Sequence, residues 1–302
     1  MSVLGQLTYM LALLAVGVGA RRVGVLDERW TGRLTAAAFY VALPALIFSS
    51  TYDQRLGDLV SPALVAGYWV VIGLTVLLGW VVHSRKETDA RRSVAIIQSY
   101  HGNLGFLGLP VVAATLGGEA TAVASLILGL GTLTHIPITV LTLVRANGAA
   151  ASVVDELRSL ARNPILASLG AGILASVLSL RVPAVVDTAL NGLSTLALPL
   201  ALLSIGATLD TGVELSRLRD ASSVVVLKVV WMPAVAWLVF SALGVGPTVL
   251  GASVLMLGAP TAVSTYVYAT ELGGDAAFAS LNVFATTLVS LGTLSALAVL
   301  FG

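Results

Sequence analysis

The sequence predicts an all-α, polytopic membrane protein whose ten transmembrane helices form two inverted five-helix repeats. Three observations predict this fold class: the chain is 57% apolar and only 10% charged, ten long apolar segments fill it, and short motifs recur half a chain apart. A soluble domain is about 25% charged because its surface faces water. The composition therefore disfavours a soluble enzyme, a nucleic-acid binder and a disordered scaffold, and a net charge of +1 provides no field to recruit nucleic acid.

Motifs for catalysis or metal binding are missing from the sequence. There is no Cys, and the three His residues are not spaced as metal ligands. No nucleophile elbow, phosphate-binding loop or dinucleotide fingerprint is present. We therefore expect no enzyme, no metal and no cofactor, apart from a proton or a sodium ion as a coupling ion.

Ten segments meet the requirement of about 20 mostly apolar residues for a spanning helix. These predicted spans 1 to 10 cover residues 3–20, 34–51, 59–82, 93–116, 121–144, 165–180, 189–209, 223–243, 248–271 and 276–301. Together with short loops they account for the whole length, so we expect no soluble domain. The first charges, Arg21 and Arg22, follow span 1, which argues against a cleaved signal peptide.

Charge in the loops predicts the orientation. The loops after the odd-numbered spans carry 4, 4, 3, 2 and 0 Lys and Arg residues, whereas those after the even-numbered spans carry 1, 0, 1 and 0. Under the positive-inside rule the odd loops are cytoplasmic. We therefore expect a multi-pass protein of the cell membrane, in contact with the lipid bilayer, with both termini extracytoplasmic.

Three short motifs recur at a nearly constant offset. Residues 42–44 (Ala-Leu-Pro) recur at 197–199, residues 116–119 (Leu-Gly-Gly-Glu) recur at 272–275 with Asp last, and residues 124–126 (Ala-Ser-Leu) recur at 279–281. An offset of five helices is odd, so the two halves have opposite orientations, as in secondary transporters. The predicted division is an N-terminal repeat (1–144), a short cytoplasmic linker (145–163) and a C-terminal repeat (164–302).

Spans 4 and 9 are predicted to be broken at corresponding places. Residues 102–110 (Gly-Asn-Leu-Gly-Phe-Leu-Gly-Leu-Pro) and residues 258–262 (Gly-Ala-Pro-Thr-Ala) place glycine and proline in mid-span. Unwound backbone at membrane depth requires protein or water partners. Two crossing breaks would aim half-helix N-termini at an anion. The alternative is that Gly and Pro are simply common in membrane helices.

These motifs resemble the auxin efflux carrier family, which belongs to the bile acid/arsenite/riboflavin transporter superfamily. The resemblance rests on residues 102–110, on Lys228-x4-Pro233 and on residues 259–262, and it covers essentially the whole chain. It implies the crossover fold of bile-acid symporters and NhaA-type antiporters, with a scaffold domain (spans 1, 2, 6 and 7), a transport domain (spans 3–5 and 8–10) and a homodimer through the scaffold. Family members move small organic anions, such as auxin, malate or malonate, so the resemblance implies a carboxylate substrate carried by an elevator-type mechanism.

Two departures point to the prokaryotic branch of the family. Plant members carry Asn-Pro-Asn at the span 4 crossing, whereas Gly102 precedes Asn103 and Leu104 follows it here. Plant members also have a large loop between spans 5 and 6, and this chain has a short one.

The candidate substrate-binding residues surround the two breaks. The amide of Asn103 could bind a carboxylate or merely cap a broken helix end, and Gly102 and Gly105 would allow close backbone approach. Pro260 and Thr261 form the opposite side of the crossing. Ser264 offers a hydroxyl that could equally bond its own helix.

Further polar residues lie within the predicted spans. Gln98 and Asn282 are candidates for the site, or for hydrogen bonds between helices. Lys228, His101 and His135 are candidates for coupling or charge compensation. Lys228 lies near enough to the start of span 8 that it could instead snorkel to the cytoplasmic surface.

The rival interpretations are a sodium-coupled symporter of the same fold carrying another organic solute, and a channel or membrane receptor. No acidic residue lies near the centre of a predicted span, which argues against a cation antiporter. Sodium binding by carbonyl and hydroxyl oxygens stays open. An intramembrane enzyme is the weakest alternative.

Overall fold

The computed structural model describes residues 3–54, 61–86, 88–149, 153–209 and 218–302. Within these ranges the protein is helical throughout, and the one β-type pairing is an isolated bridge between two residues. The first two residues of predicted span 3, Leu59 and Val60, lie outside the described residues.

The α-helices follow one another with few intervening residues. In chain order they are α1 (Val3–Arg22), α2 (Glu28–Ala37), α3 (Leu43–Thr51), α4 (Pro62–His83), α5 (Asp89–Tyr100), α6 (Leu109–Thr115), α7 (Gly118–Asn147), α8 (Val153–Leu160), α9 (Pro164–Val177), α10 (Ala184–Ser194), α11 (Ala197–Thr208), α12 (Leu218–Val225), α13 (Met232–Ala242), α14 (Pro247–Leu257), α15 (Ser264–Glu271) and α16 (Ala276–Phe301).

Six helical stretches of the described chain are long and apolar enough to cross a membrane: Glu28–Thr51, Pro62–His83, Gly118–Asn147, Ala184–Thr208, Leu218–Ala242 and Ala276–Phe301. A seventh is added if α8 and α9, bent by 46° at their junction, are taken as one span. The other predicted spans are α1, with 20 residues, and spans 4 and 9, whose breaks leave the shorter apolar helices Leu104–Thr115 and Pro247–Leu257. The fold therefore has the character of a multi-pass membrane protein.

In the described part of the chain, three π-helical turns lie within or next to the long helices. They cover Ala38–Ala42, Leu104–Gly108 and Val226–Trp231, and the α-helix that follows each has Pro as its second residue. Proline has no N–H to donate to the preceding turn, and a wider π turn accommodates the missing bond. The π turn Ala38–Ala42 thus ends two residues before Pro44.

Glycines bring two helices into close contact. The backbones of α1 and α11 meet at Gly17 and Gly206, where a Cβ added to Gly206 would lie 2.3 Å from the carbonyl oxygen of Leu14. Only glycine allows this approach. Helix α11 also packs on α2, and α3 packs on α9 and α10.

A second set of helices packs separately. Here α4 and α7 pack on α5, α13 and α7 pack on α14, and α12 packs on α16. The two sets meet at the breaks in predicted spans 4 and 9 and along α3 and α7, where the hydroxyls of Ser50 and Ser125 lie 3.0 Å apart. At the far end of α3, the Tyr52 hydroxyl donates to Asp187 over 2.8 Å, and this hydrogen bond raises the pKa of Tyr52 to about 12.

The predicted linker contains structure of its own. Helix α7 continues to Asn147, and α8 occupies Val153–Leu160 within the range 145–163. Helix α8 is short and amphipathic, with Leu160 buried. This helix lies against α7 and contributes to the cavity described next.

Candidate functional site

The two broken helices meet at their breaks. Helix α5 ends at Tyr100 and α14 ends at Leu257, and the helical backbone resumes at Leu104 and Ser264 respectively. Between them, Gly102 and Thr261 form an antiparallel bridge. The N–H of Asn103 donates to the Pro260 carbonyl over 2.7 Å, and the N–H of Ala262 donates to the His101 carbonyl over 2.9 Å. The unwound backbone at both predicted breaks is therefore partly satisfied by pairing with the other break.

Some amide groups at the crossing are not used by this pairing. Among the described residues, the backbone N–H groups of Gly105, Val263 and Ser264 have no acceptor. Gly105 and Ser264 lie in the first turns of the helical segments that resume after the breaks, and Val263 is the N-cap residue directly before Ser264; the helix dipole is positive at these ends. The crossing thus presents N–H donors from two half-helices.

Asn103 has both of the roles considered from sequence. Its Oδ1 accepts from the N–H of Phe106 over 3.2 Å, so the side chain caps the helical turn that follows. Its Nδ2 has no partner among the described residues, although the side chain is only 7% exposed. One end of the amide is therefore structural, and the other is free to donate.

A cavity of about 460 Å³ lies beside the crossing. Gly102, Asn103 and Gly105 line it from one break, and Ser264 lines it from the other. Its other walls are mostly apolar, and the residues lining it include Phe39, Leu43, Phe106, Leu128, Ile136, Ile205, Val263 and Val267. The cavity combines a polar end with an apolar body, as ligand sites commonly do.

Two histidines meet in this cavity. His101 and His135 have ring centroids 4.9 Å apart and are almost fully buried. The Nδ1 of His101 lies 2.8 Å from the Thr139 hydroxyl, and the Nε2 of His135 lies 2.9 Å from the Tyr68 hydroxyl. Because 34 positions separate the two histidines, their spacing in the sequence did not predict that they pair.

Lys228 does not snorkel to the surface. Its side chain is fully buried, and its Nζ donates to the Leu257 carbonyl, at the end of α14, over 2.8 Å. A Cβ added to Gly102 would lie 3.2 Å from Nζ, so the ammonium group lies directly behind the crossing. It is not among the residues that line the cavity.

Besides Lys228, four candidate residues lie outside the cavity lining: Gln98, Asn282, Pro260 and Thr261. Gln98 donates to Thr265 and to the Ala279 carbonyl, and it accepts from Asn282 over 2.8 Å. These bonds join α5, α15 and α16. They fit the alternative considered from the sequence, in which Gln98 and Asn282 form hydrogen bonds between helices. Pro260 and Thr261 contribute to the crossing through their backbone pairing.

The polar residues that the structure adds to the cavity lining include Ser204, Glu156 and Tyr268, which the sequence analysis did not indicate. Ser204 of α11 is 2% exposed, and its hydroxyl has no hydrogen-bond partner. Glu156 of α8 accepts from the Tyr268 hydroxyl of α15 over 3.0 Å. No local pattern marks these residues, because distant segments bring them to the cavity. Among the described residues, no group of three metal-ligating side chains occurs.

A multi-pass helical protein with two broken helices meeting beside a buried cavity has the construction of a membrane transport protein. The family model described as "Membrane transport protein" matches residues 2–298, and the chain belongs to this family. It is the auxin efflux carrier family that the motifs resemble, so that expectation is confirmed.

Three curated relatives align over most of the chain. A protein of Rhizobium meliloti (strain 1021) named "Putative malonate transporter" is 28% identical over 88% of this chain and 85% of its own length. Uncharacterized transporters of Methanothermobacter thermautotrophicus and Methanocaldococcus jannaschii are 28% and 26% identical, over 94% and 93% of both chains. The protein is therefore a transporter and not an enzyme.

Proposed function

We propose that this protein is a secondary carrier of small organic anions, with a carboxylate bound at the crossing of the two broken helices. The single observation that carries this proposal is the set of unpaired donors in one cavity, the N–H groups of Gly105 and Ser264 and the Nδ2 of Asn103. Donors at helix N-termini favour anions through hydrogen bonds and the helix dipole. The name of the Rhizobium meliloti relative, a malonate transporter, is consistent with a carboxylate.

The proposed architecture is ten spans in two inverted five-helix repeats. The sequence repeats, the breaks at equivalent places in α5–α6 and α14–α15, and the separate packing of the two helix sets support it. In this arrangement spans 1, 2, 6 and 7 form the scaffold. Spans 3–5 and 8–10 move against it as an elevator and carry the cavity between the two sides of the membrane.

Orientation follows from the loop charges. With the odd loops cytoplasmic, both termini are outside the cell membrane, and Glu156 and Ser159 of the linker lie on the cytoplasmic side of the cavity. A homodimer through the scaffold is part of the same proposal.

Three buried side chains with titratable nitrogens lie where a coupling proton could act. His101 and His135 line the cavity, and the Lys228 ammonium lies behind Gly102, so a proton taken up or released here would act directly on a bound anion. Sodium held by carbonyl and hydroxyl oxygens is the alternative coupling ion.

The test is transport by purified protein in proteoliposomes. Transient currents on a solid-supported membrane and radiolabelled exchange would be recorded for a panel of mono- and dicarboxylates, with and without sodium, from pH 5 to 8. Saturable transport of certain carboxylates, lost in Asn103→Ala and retained in the exposed control Asn191→Ala, is expected. No current and no exchange for any carboxylate would contradict the proposal, and a strict sodium requirement would favour the symporter.

A further inference from the structure

A second cleft lies beside the substrate cavity. It has a volume of about 1010 Å³ and lies between α2 and α11 on one side and α15 and α16 on the other. The stacked rings of Phe39 and Phe106, with centroids 6.3 Å apart, line both spaces and lie where they meet. The cleft therefore lies between the two helix sets, next to the substrate cavity.

One end of this cleft carries two opposite charges that do not pair. Arg21, in the last turn of α1, and Glu28, the first residue of α2, both line it and are exposed. Among the described residues neither forms an ion pair, and the Arg21 guanidinium donates only to the Leu26 carbonyl, over 3.3 Å. A guanidinium and a carboxylate are thus both available to a ligand at the same end.

A buried polar group accompanies these charges. Thr31 lies three residues after Glu28, on the same face of α2, and it lines the cleft. It is 7% exposed, and its hydroxyl has no hydrogen-bond partner. Buried hydroxyls are normally paired, so this group points to a polar ligand that the protein itself does not supply.

The remainder of the cleft is mostly apolar and reaches Phe106 and Val263, at the level of the crossing. Its walls include Phe39, Val283 and Phe284, and its lining residues Tyr40, Tyr266 and Val267 are 65%, 39% and 46% exposed. From Glu28 to Tyr40 the helix rises about 18 Å, somewhat more than half of the ~30 Å hydrocarbon core. The cleft has the length of one acyl chain in one leaflet.

We propose that this cleft binds a phospholipid with a zwitterionic, primary-amine headgroup, as in phosphatidylethanolamine. The Arg21 guanidinium binds the phosphate, the Glu28 carboxylate accepts hydrogen bonds from the ammonium, and one acyl chain lies along α2 toward Phe106. A choline headgroup has no N–H to donate to Glu28, and a glycerol headgroup has no cation. The charge pair thus selects the amine among phospholipids with the same chains.

The test is competitive lipid binding, measured by native mass spectrometry on delipidated protein with equal amounts of dioleoyl phosphatidylethanolamine, phosphatidylcholine and phosphatidylglycerol. We expect roughly tenfold preference for phosphatidylethanolamine, the scale of one charge-assisted hydrogen bond. Glu28→Gln should abolish the preference over phosphatidylcholine, and Arg21→Gln should weaken binding of all three lipids. Thr31→Val should weaken phosphatidylethanolamine binding without changing the order of preference among the three lipids.

Arg29→Gln is the matched control, since Arg29 is exposed next to Glu28 but does not line the cleft. Equal binding of the three lipids would overturn the proposal, because lipids that surround a membrane protein non-specifically show no headgroup preference. A preference for phosphatidylglycerol that Glu28→Gln leaves unchanged would also overturn it, in favour of a purely anionic lipid site. Because lipid binding is measured without transport, either result is independent of the substrate assignment.

Discussion

The N–H of Asn103 donates to the carbonyl of Pro260 over 2.7 Å, although 157 positions separate the two residues. This bond ties the break in one half of the chain to the break in the other. It orients Asn103 so that its Oδ1 caps the next helical turn and its Nδ2 is left for the cavity. The site is thus assembled from two segments, neither of which could satisfy its own unwound backbone in a membrane.

Asn103→Asp separates capping from ligand binding. A carboxylate retains an oxygen that accepts from Phe106 N–H, so we expect a folded protein with a thermal midpoint close to that of the parent. The free amide donor is lost and replaced by negative charge, so the affinity for carboxylates should fall by at least about tenfold. Binding would be measured by isothermal titration in detergent. Undiminished affinity would show that Nδ2 does not touch the anion.

Asn282→Ala and Gln98→Ala should affect stability more than affinity. Both side chains are fully buried in bonds joining α5, α15 and α16, and neither lines the cavity. Removing one leaves its partner unpaired, at a cost of about 1–3 kcal/mol. Thermal unfolding and substrate KM would be compared in the same preparations. A raised KM with unchanged stability would place these residues at the site.

Lys228→Met should destabilise the crossing. The substitution keeps an unbranched chain but leaves the Leu257 carbonyl without its buried donor, an expected loss of about 1–3 kcal/mol. It also removes the positive charge behind Gly102, so carboxylate transport should fall. The control Arg181→Met removes an exposed charge from the loop after α9. Equal thermal midpoints for the two variants would contradict the structural role of Lys228.

Glu156→Gln should strengthen binding of dicarboxylates. Glu156 lines the cavity, where its negative charge repels a second carboxylate, and a glutamine retains an oxygen that accepts from Tyr268. We expect affinity to rise roughly two- to tenfold for dicarboxylates and less for monocarboxylates. Competition assays with mono- and dicarboxylic acids of equal chain length would measure both changes in affinity. Identical changes for both classes would refute a direct electrostatic effect.

Gly206→Ala tests the contact between α1 and α11. The added methyl would lie 2.3 Å from the Leu14 carbonyl oxygen and 3.1 Å from the Gly17 Cα, so the helices must separate. Overpacking of this kind costs about 1–3 kcal/mol. Gly19→Ala, where a Cβ meets nothing within 4 Å, is the matched control and should unfold at or above the parent temperature. A stable Gly206→Ala protein would argue against the contact.

Much of the site could be predicted from the sequence because backbone chemistry marks it. Glycine and proline in mid-helix predicted the breaks, and five of the residues around them, Gly102, Asn103, Gly105, Pro260 and Thr261, do lie at the crossing. The position of Lys228 could not be predicted in the same way. Its distance from the helix start allowed snorkelling or burial, and only the packing of α14 against the crossing decided between them.

The sequence by itself determined that this protein lies in a membrane, that it is helical and where its helices break. Those properties depend on composition, hydrophobic length and residues that lack helical preference or an N–H group. Only the tertiary structure decided which polar groups share a cavity. The pair His101 and His135, the cavity residue Ser204 and the pair Glu156 and Tyr268 come from segments far apart in the chain. Their proximity depends on helix packing, and no local spacing encodes it.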